Sequence, residues 1–136
     1  DVSKIGDLTG LVSSLPVPVV IDHMGHVNAD VAQEDDGFRA LLDLIHAEKC
    51  WVKLSGSYRT TRLMSAPYYD VIAMARALVG AGPTRCVWAS DWPHPRINVP
   101  MPNDGDLIDQ LTTWIPDMEI RDGVLRDNAL HLYGFA

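Results

Sequence analysis

The sequence predicts an α/β fold in which parallel strands alternate with helices, as in a β/α barrel. Three short apolar runs carry this expectation: Pro18-Val-Val-Ile-Asp-His23-Met-Gly25, Cys50-Trp-Val-Lys-Leu-Ser-Gly-Ser-Tyr-Arg59 and Cys86-Val-Trp-Ala-Ser-Asp91-Trp-Pro-His-Pro95. Helix-like segments separate them, and each run ends in polar or reactive residues. Repeated parallel strands with reactive groups at their C-terminal ends are how such a barrel assembles a site. The 136 residues suffice for one domain with a sizeable core, whereas a complete barrel takes about 250. The expectation is therefore a single domain over 1–136 holding about the last three units of a barrel.

Each element has its own signal. Leu8 to Leu15 reads as a helix tail stopped by Pro16 and Pro18. Val19 to His23 is a β-branched run suited to a strand covered on both faces. Met24 to Gly37 is an acidic loop, and Phe38, Leu41, Leu42 and Ile45 then recur at helical spacing. Trp51 to Ser55 is the second strand and Gly56 to Ala66 its loop. Pro67 suits the first turn of the next helix, whose apolar side holds Val71, Ile72, Ala75, Leu78 and Val79. Gly80, Gly82 and Pro83 end that helix. Cys86 to Ser90 is the third strand, followed by a Pro-rich loop to about Asp104. The remainder predicts helices near Asp106 to Trp114 and from Arg121 to Tyr133, the latter broken near Asp127.

Composition excludes several function classes. Hydrophobic residues make up 47% and charged residues 21%, a soluble globular balance. No apolar stretch approaches the roughly 20 residues of a membrane span. A net charge of −7 argues against nucleic acid, which needs a basic face, but not against a small anion held by local arginines. Cys50 and Cys86 form no metal-type cluster and read as buried, reduced thiols of a cytoplasmic protein. The N-terminus, Asp1-Val-Ser-Lys-Ile, lacks an initiating Met and a signal-peptide pattern, so an upstream region is expected.

Alternation along strands places Val19, Ile21 and His23 on one face, and Val87, Ala89 and Asp91 on one face. If both faces line a cavity, His23 and Asp91 meet at its rim, where an imidazole and a carboxylate can ligate a metal or activate water. A lone strand-end His or Asp is more often a cap; two at matching strand ends shift the balance toward function. Asp22 and Ser90 fall on the opposite face and read as structural. In the middle strand, alternation allows either Val52 and Leu54 or Lys53 and Ser55 to face inward. An inward Lys53 needs a carboxylate partner. Tyr58, Arg59 and Arg62 follow that strand: Arg59 is equally a carboxylate-binding fork or a solvated cation, and Arg62 reads as the latter. His94 is either held at the cavity or packed on the rim. His26 is a weaker candidate, and His46 and His131 sit in helix patterns. No nucleophile elbow, phosphate loop or zinc finger occurs.

With Ile21-Asp22-His23-Met24-Gly25, Val52-Lys53-Leu54-Ser55-Gly56, Ala89-Ser90-Asp91-Trp92-Pro93-His94-Pro95 and Asn128-Ala129-Leu130-His131-Leu132-Tyr133-Gly134, the chain resembles the amidohydrolase-related family, in its 2-pyrone-4,6-dicarboxylate lactonase-like branch. The resemblance runs from Pro16 to the end. It implies a distorted β/α barrel whose sixth, seventh and eighth strands are those here. It also implies Asp91 as general base, His23 as carbonyl polariser or metal ligand, and Arg59, with Tyr58 and His94, as substrate contacts. The family's His-x-His is absent from these residues. The implied activity is hydrolysis of a carboxylate-bearing lactone or related cyclic ester, with one divalent metal such as zinc or without metal. Two rivals stand beside it: a zinc-dependent decarboxylase of the same family, and a non-catalytic half-barrel with association-prone edges.

Overall fold

The alternating pattern folds into a parallel sheet with connecting helices packed on one of its faces. The computed structural model describes residues 1–135. A short 3-10 turn, Val2–Lys4, leads into α1 (Leu8–Ser14), capped by the Asp7 carboxylate accepting from the Gly10 amide. Strand β1 is Val19–Ile21. Helix α2 (Asp36–His46) starts two residues before the apolar repeat because Asp35 caps it, its carboxylate accepting from the Phe38 amide. Strand β2 (Cys50–Leu54) and a one-turn helix α3 (Ser57–Thr60) follow.

Helix α4 (Ile72–Ala81) begins later than expected, so Pro67 does not sit in its first turn. The Asp70 carboxylate accepts from the Thr61 hydroxyl (2.6 Å) and the Arg62 amide (2.8 Å), which closes 61–70 as a loop before the helix can start. Strand β3 is Cys86–Trp88. After the Pro-rich loop come α5 (Asp104–Asp109) and α6 (Leu111–Trp114). The last helical run is unbroken at Asp127: α7 (Met118–Asp122), a wide π turn (Gly123–Asp127) and α8 (Asn128–Tyr133) continue one another. The wide turn lets Val124 enter the core while the Asn128 amide donates to the carbonyls of Pro83 (2.8 Å) and Cys86 (2.6 Å). That pair of bonds ties the helix to the start of β3.

The sheet order is β1-β2-β3, all parallel, with Val19 opposite Cys50, Ile21 opposite Val52, Val52 opposite Cys86 and Leu54 opposite Trp88. These residues share one face and pack on Phe38, Leu41 and Ile45 of α2 and on Met74, Ala75 and Leu78 of α4. A buried leucine or isoleucine here stabilises by about 1.5–3 kcal/mol. The opposite face carries Val20, Trp51, Lys53 and Val87, by the same register. Trp51 there stacks on His131 of α8, ring centroids 5.9 Å apart.

This division corrects one sequence expectation. Val19 and Ile21 face the helices, not a cavity. Strand β1 stops at Ile21 and the chain turns at His23, where φ is 50°, so alternation does not extend to the histidine. Strand β3 likewise stops at Trp88, two residues earlier than expected, and Asp91 has φ 68°.

Candidate active site

The C-terminal ends of the three strands meet on the face opposite α2 and α4. A cleft of about 340 Å³ there is lined by Asp22, His23, Lys53, Ser55, Ala89, Ser90, Asp91 and Trp92. The open choice in the middle strand is resolved: Lys53 and Ser55 face the cleft, and Val52 and Leu54 face the helices. Lys53 has the partner that an inward lysine requires, since its Nζ lies 2.8 Å from Asp22 Oδ1. The hydrogen bond to Asp22 holds the Lys53 ammonium above its ordinary pKa. Asp22 and Ser90 were expected on the far face, but both border this cleft, because the turns after β1 and β3 override alternation.

Asp91 is the centre of the arrangement. Its Oδ2 accepts from the Tyr58 hydroxyl at 2.5 Å and from Arg59 Nε at 2.6 Å. Its Oδ1 lies 3.7 Å from His23 Nε2. Burial alone would raise the carboxyl pKa, but the hydrogen bonds from Tyr58 and Arg59, with the nearby positive charge, outweigh it and hold Asp91 below the usual value. Asp91 is therefore ionised at neutral pH. Tyr58 is shifted the other way: burial and then the bond to Asp91 push its phenol up, so it stays a donor.

A local sequence feature places Tyr58 and Arg59. Gly56 has φ 58°, a left-handed conformation that starts α3 directly after β2. A Cβ there would stand 3.0 Å from both Arg59 Cδ and His23 Nδ1, so any other residue would combine a strained φ with crowding of both side chains. Arg59 Nη2 also donates to the Pro95 carbonyl at 2.8 Å, and its guanidinium carbon lies 5.2 Å from the Tyr58 ring centre. Arg59 thus clasps the general-base candidate and the loop behind it, rather than standing free in solvent. Arg62 is the solvated cation expected, exposed and paired with Asp30.

His94 is buried, 5% exposed. Its Nδ1 lies 3.1 Å from the Tyr58 hydroxyl and its Nε2 lies 3.1 Å from Asp104 Oδ1. A turn closed by the His94 amide on the Asp91 carbonyl, 2.7 Å, brings the ring behind Tyr58. It touches the Asp91 network through Tyr58 and does not line the cleft. His23 has Ser55 Oγ 2.9 Å from its Nδ1 and the His26 ring edge-on at 4.7 Å. Burial lowers the His23 pKa, against the pull of Asp91, so the ring is neutral at neutral pH; His26 is lowered by burial and by His23.

A second cleft of about 330 Å³ lies beside the first. It is lined by His26, Tyr58, Arg59, Thr61, Arg96, Ile97, Asn98 and Val99. No carboxylate lines it, and two guanidinium groups do. Sequence reasoning missed Arg96 and Asn98, which lie in the long loop after β3, where no periodic pattern fixes position. It also left Ser55 unassigned, although strand alternation marks it as a partner of Lys53. Cys50 and Cys86 are free and buried, as expected.

The described residues by themselves do not make up a full ligand set for a metal ion. His23 and Asp91 offer two donors, and no group of three His, Cys, Asp or Glu suited to a metal occurs among the described residues. A zinc site takes at least three protein ligands, and here the Arg59 cation lies 2.6 Å from the carboxylate that would be one of them. No helix among the described residues is long and apolar enough to cross a membrane.

Comparison with known proteins identifies the family. The family model described as amidohydrolase matches residues 1–135. A 4-sulfomuconolactone hydrolase of Hydrogenophaga intermedia is 40% identical over 134 residues, which is 97% of this chain and 44% of that protein. A 2-pyrone-4,6-dicarboxylate hydrolase of Comamonas testosteroni is 31% identical over 93% of this chain and 44% of that protein. The crystal structure of a probable 2-pyrone-4,6-dicarboxylic acid hydrolase of Acinetobacter baumannii, with citric acid bound, superposes with TM-score 0.76 at 26% identity. That match covers 95% of this chain and 48% of that one. The chain thus spans about 44% of the length of these curated relatives.

Proposed function

Because this chain belongs to the amidohydrolase family, we propose that it supplies the general base and the substrate clamp of a hydrolase that opens carboxylate- or sulfonate-bearing lactones. The three parallel strands are read here as neighbouring strands of a distorted β/α barrel, with 1–136 forming part of that one domain and the two clefts at its C-terminal rim. The observation that carries the reading is the inequality of the two Asp91 oxygens. Oδ2 is engaged by Tyr58 and Arg59, while Oδ1 faces the cleft beside His23.

The chemistry follows from that inequality. A water in the cleft gives a proton to Asp91 Oδ1 as its oxygen attacks the lactone carbonyl carbon. His23 Nε2 holds the carbonyl oxygen as negative charge develops there. The ring C–O bond then breaks, and the leaving oxygen takes the proton back from Asp91. Tyr58 and Arg59 keep Asp91 ionised and fixed in place. An anionic substituent of the substrate sits in the adjoining cleft, between Arg59 and Arg96, with Thr61 and Asn98 as further donors. The names of the relatives support a substrate of this class, since both carry an acidic lactone or pyrone. Two unpaired buried thiols support action in the cytoplasm.

The test is ring opening of carboxylate- and sulfonate-bearing lactones by the protein encoded by the complete gene, followed as acid release, with and without a chelator. Aromatic and unsaturated acids, assayed in parallel for carbon dioxide, address decarboxylation. Asp91→Asn should lower lactone turnover by at least about 100-fold. Wild-type turnover in that variant, or carbon dioxide release without lactone opening, would overturn the proposal.

A further inference from the structure

We propose that Ser55 is a positioning residue that locks the tautomer of His23: with Asp91 Oδ1 drawing the ring proton to Nε2, the Ser55 hydroxyl donates to the bare Nδ1 and keeps that proton presented to the cleft. The role assigned to that proton in turnover rests on the hydrolase reading above; the tautomer itself does not.

Three observations converge on this arrangement. Ser55 Oγ lies 2.9 Å from His23 Nδ1, is on a residue only 3% exposed, and has no other hydrogen-bond partner among the described residues. The serine hydroxyl can either give or accept a proton, so the distance alone leaves two tautomers. The other ring nitrogen decides between them. Nε2 faces Asp91 Oδ1, an ionised oxygen that only accepts, and a proton on Nε2 turns that contact from repulsive to attractive. The ring proton therefore belongs on Nε2, Nδ1 is bare, and Ser55 must donate.

The surroundings hold the ring in that pose. Gly56 leaves room for Nδ1 where any Cβ would crowd it at 3.0 Å. His26 meets the ring edge-on from the turn that carries His23 itself. Around the ring, Asp22 and Asp91 favour its charged form, while burial, Arg59 and Lys53 favour the neutral one. With one proton on a neutral imidazole, its location decides the chemistry. On Nε2 it makes a hydrogen-bond donor for a carbonyl oxygen; on Nδ1 it would leave Nε2 a lone-pair ligand. Ser55, donating to Nδ1, thus reinforces donation from Nε2 over ligation.

The test reads the tautomer directly and separately from activity. Two-bond proton–nitrogen correlation spectra of the 15N-histidine-labelled chain, with His23 assigned through His23→Gln, should show a protonated Nε2 and a bare Nδ1 at neutral pH. In Ser55→Ala the two nitrogens should move toward an averaged pattern, and Ser55→Thr should restore the wild-type one. In the protein encoded by the complete gene, Ser55→Ala should lower kcat about tenfold with KM little changed, as expected for losing one orienting hydrogen bond, and Ser55→Thr should recover it. If Ser55→Ala fails to fold, Ser55→Cys, a weak donor of similar size, takes its place with the same expectation. A proton on His23 Nδ1 in the wild type overturns the proposal, as does an unchanged spectrum in the alanine or cysteine variant. Failure of all lactone turnover with the expected spectra would remove the hydrolase reading and leave the Ser55–His23 tautomer standing.

Discussion

Replacing Tyr58 by phenylalanine isolates one of the two bonds that hold Asp91. The ring is buried and phenylalanine keeps its packing, so the main loss is the hydroxyl, 2.5 Å from Asp91 Oδ2 and 3.1 Å from His94 Nδ1. A hydrogen bond to a charged acceptor contributes about 1.5–3 kcal/mol, and Arg59 Nε still donates to the same oxygen in the variant, which places this one near the lower figure. Tyr58→Phe should therefore cost about 1.5 kcal/mol near pH 7. The cost depends on pH. The Asp91 carboxyl is held below its ordinary pKa in the folded state, so its contribution to stability is fully present above the unfolded value, about 3.9. That contribution is lost as pH falls through the folded value. Once Asp91 is protonated, the Tyr58 bond is between neutral groups and is worth nearer 0.5–1 kcal/mol by the same scale, about half as much. Urea unfolding of wild type and variant near pH 7, pH 5 and pH 3, monitored by circular dichroism, should show the gap narrowing only below about pH 4. No gap near pH 7, or a gap that widens as pH falls, would refute a charge-assisted bond between Tyr58 and Asp91.

Two further outcomes test the scaffold around the site. Asn128→Ala removes the amide that serves the part-buried Pro83 and the buried Cys86 carbonyls; it should cost about 2 kcal/mol and lower Tm by several degrees in a thermal melt, with an unchanged Tm contradicting the link. Burial pushes the Cys50 thiol up to about 11, against the pull of Arg85, and the Cys86 thiol up to about 12, so neither should be alkylated by iodoacetamide near pH 8 until urea is added; rapid labelling of the native chain, read by mass, would contradict it.

Much of the architecture was legible in the residues because it rests on local pattern. The short apolar runs marked all three strands, and the spacing of Phe38, Leu41 and Ile45 marked α2. Pro67 misled because a side chain eight residues away in sequence, Asp70 reaching to Arg62, sets where α4 begins. The expected break near Asp127 was a wide turn, set by what Val124 and Asn128 find in the core and on β3. These are tertiary demands that no periodicity records.

The candidate site divides the same way. His23, Asp91, Arg59, Tyr58 and His94 could be named from the ends of apolar runs and from motif resemblance, because residue type and strand position are written in the chain. Which face each one reaches was not written there. Alternation presupposes extended backbone, and the chain leaves it at His23 and Asp91, both at positive φ. Those two turns bring Asp22 and Ser90 to the cleft, pair Asp22 with Lys53 and set Ser55 against His23. Only the folded chain could also divide the two Asp91 oxygens, because Tyr58 and Arg59 approach one of them from a different strand end. The sequence by itself determined the strands and the reactive groups at their ends; the tertiary structure decided which atoms of those groups face one another, since that depends on backbone turns and partners more than thirty residues apart.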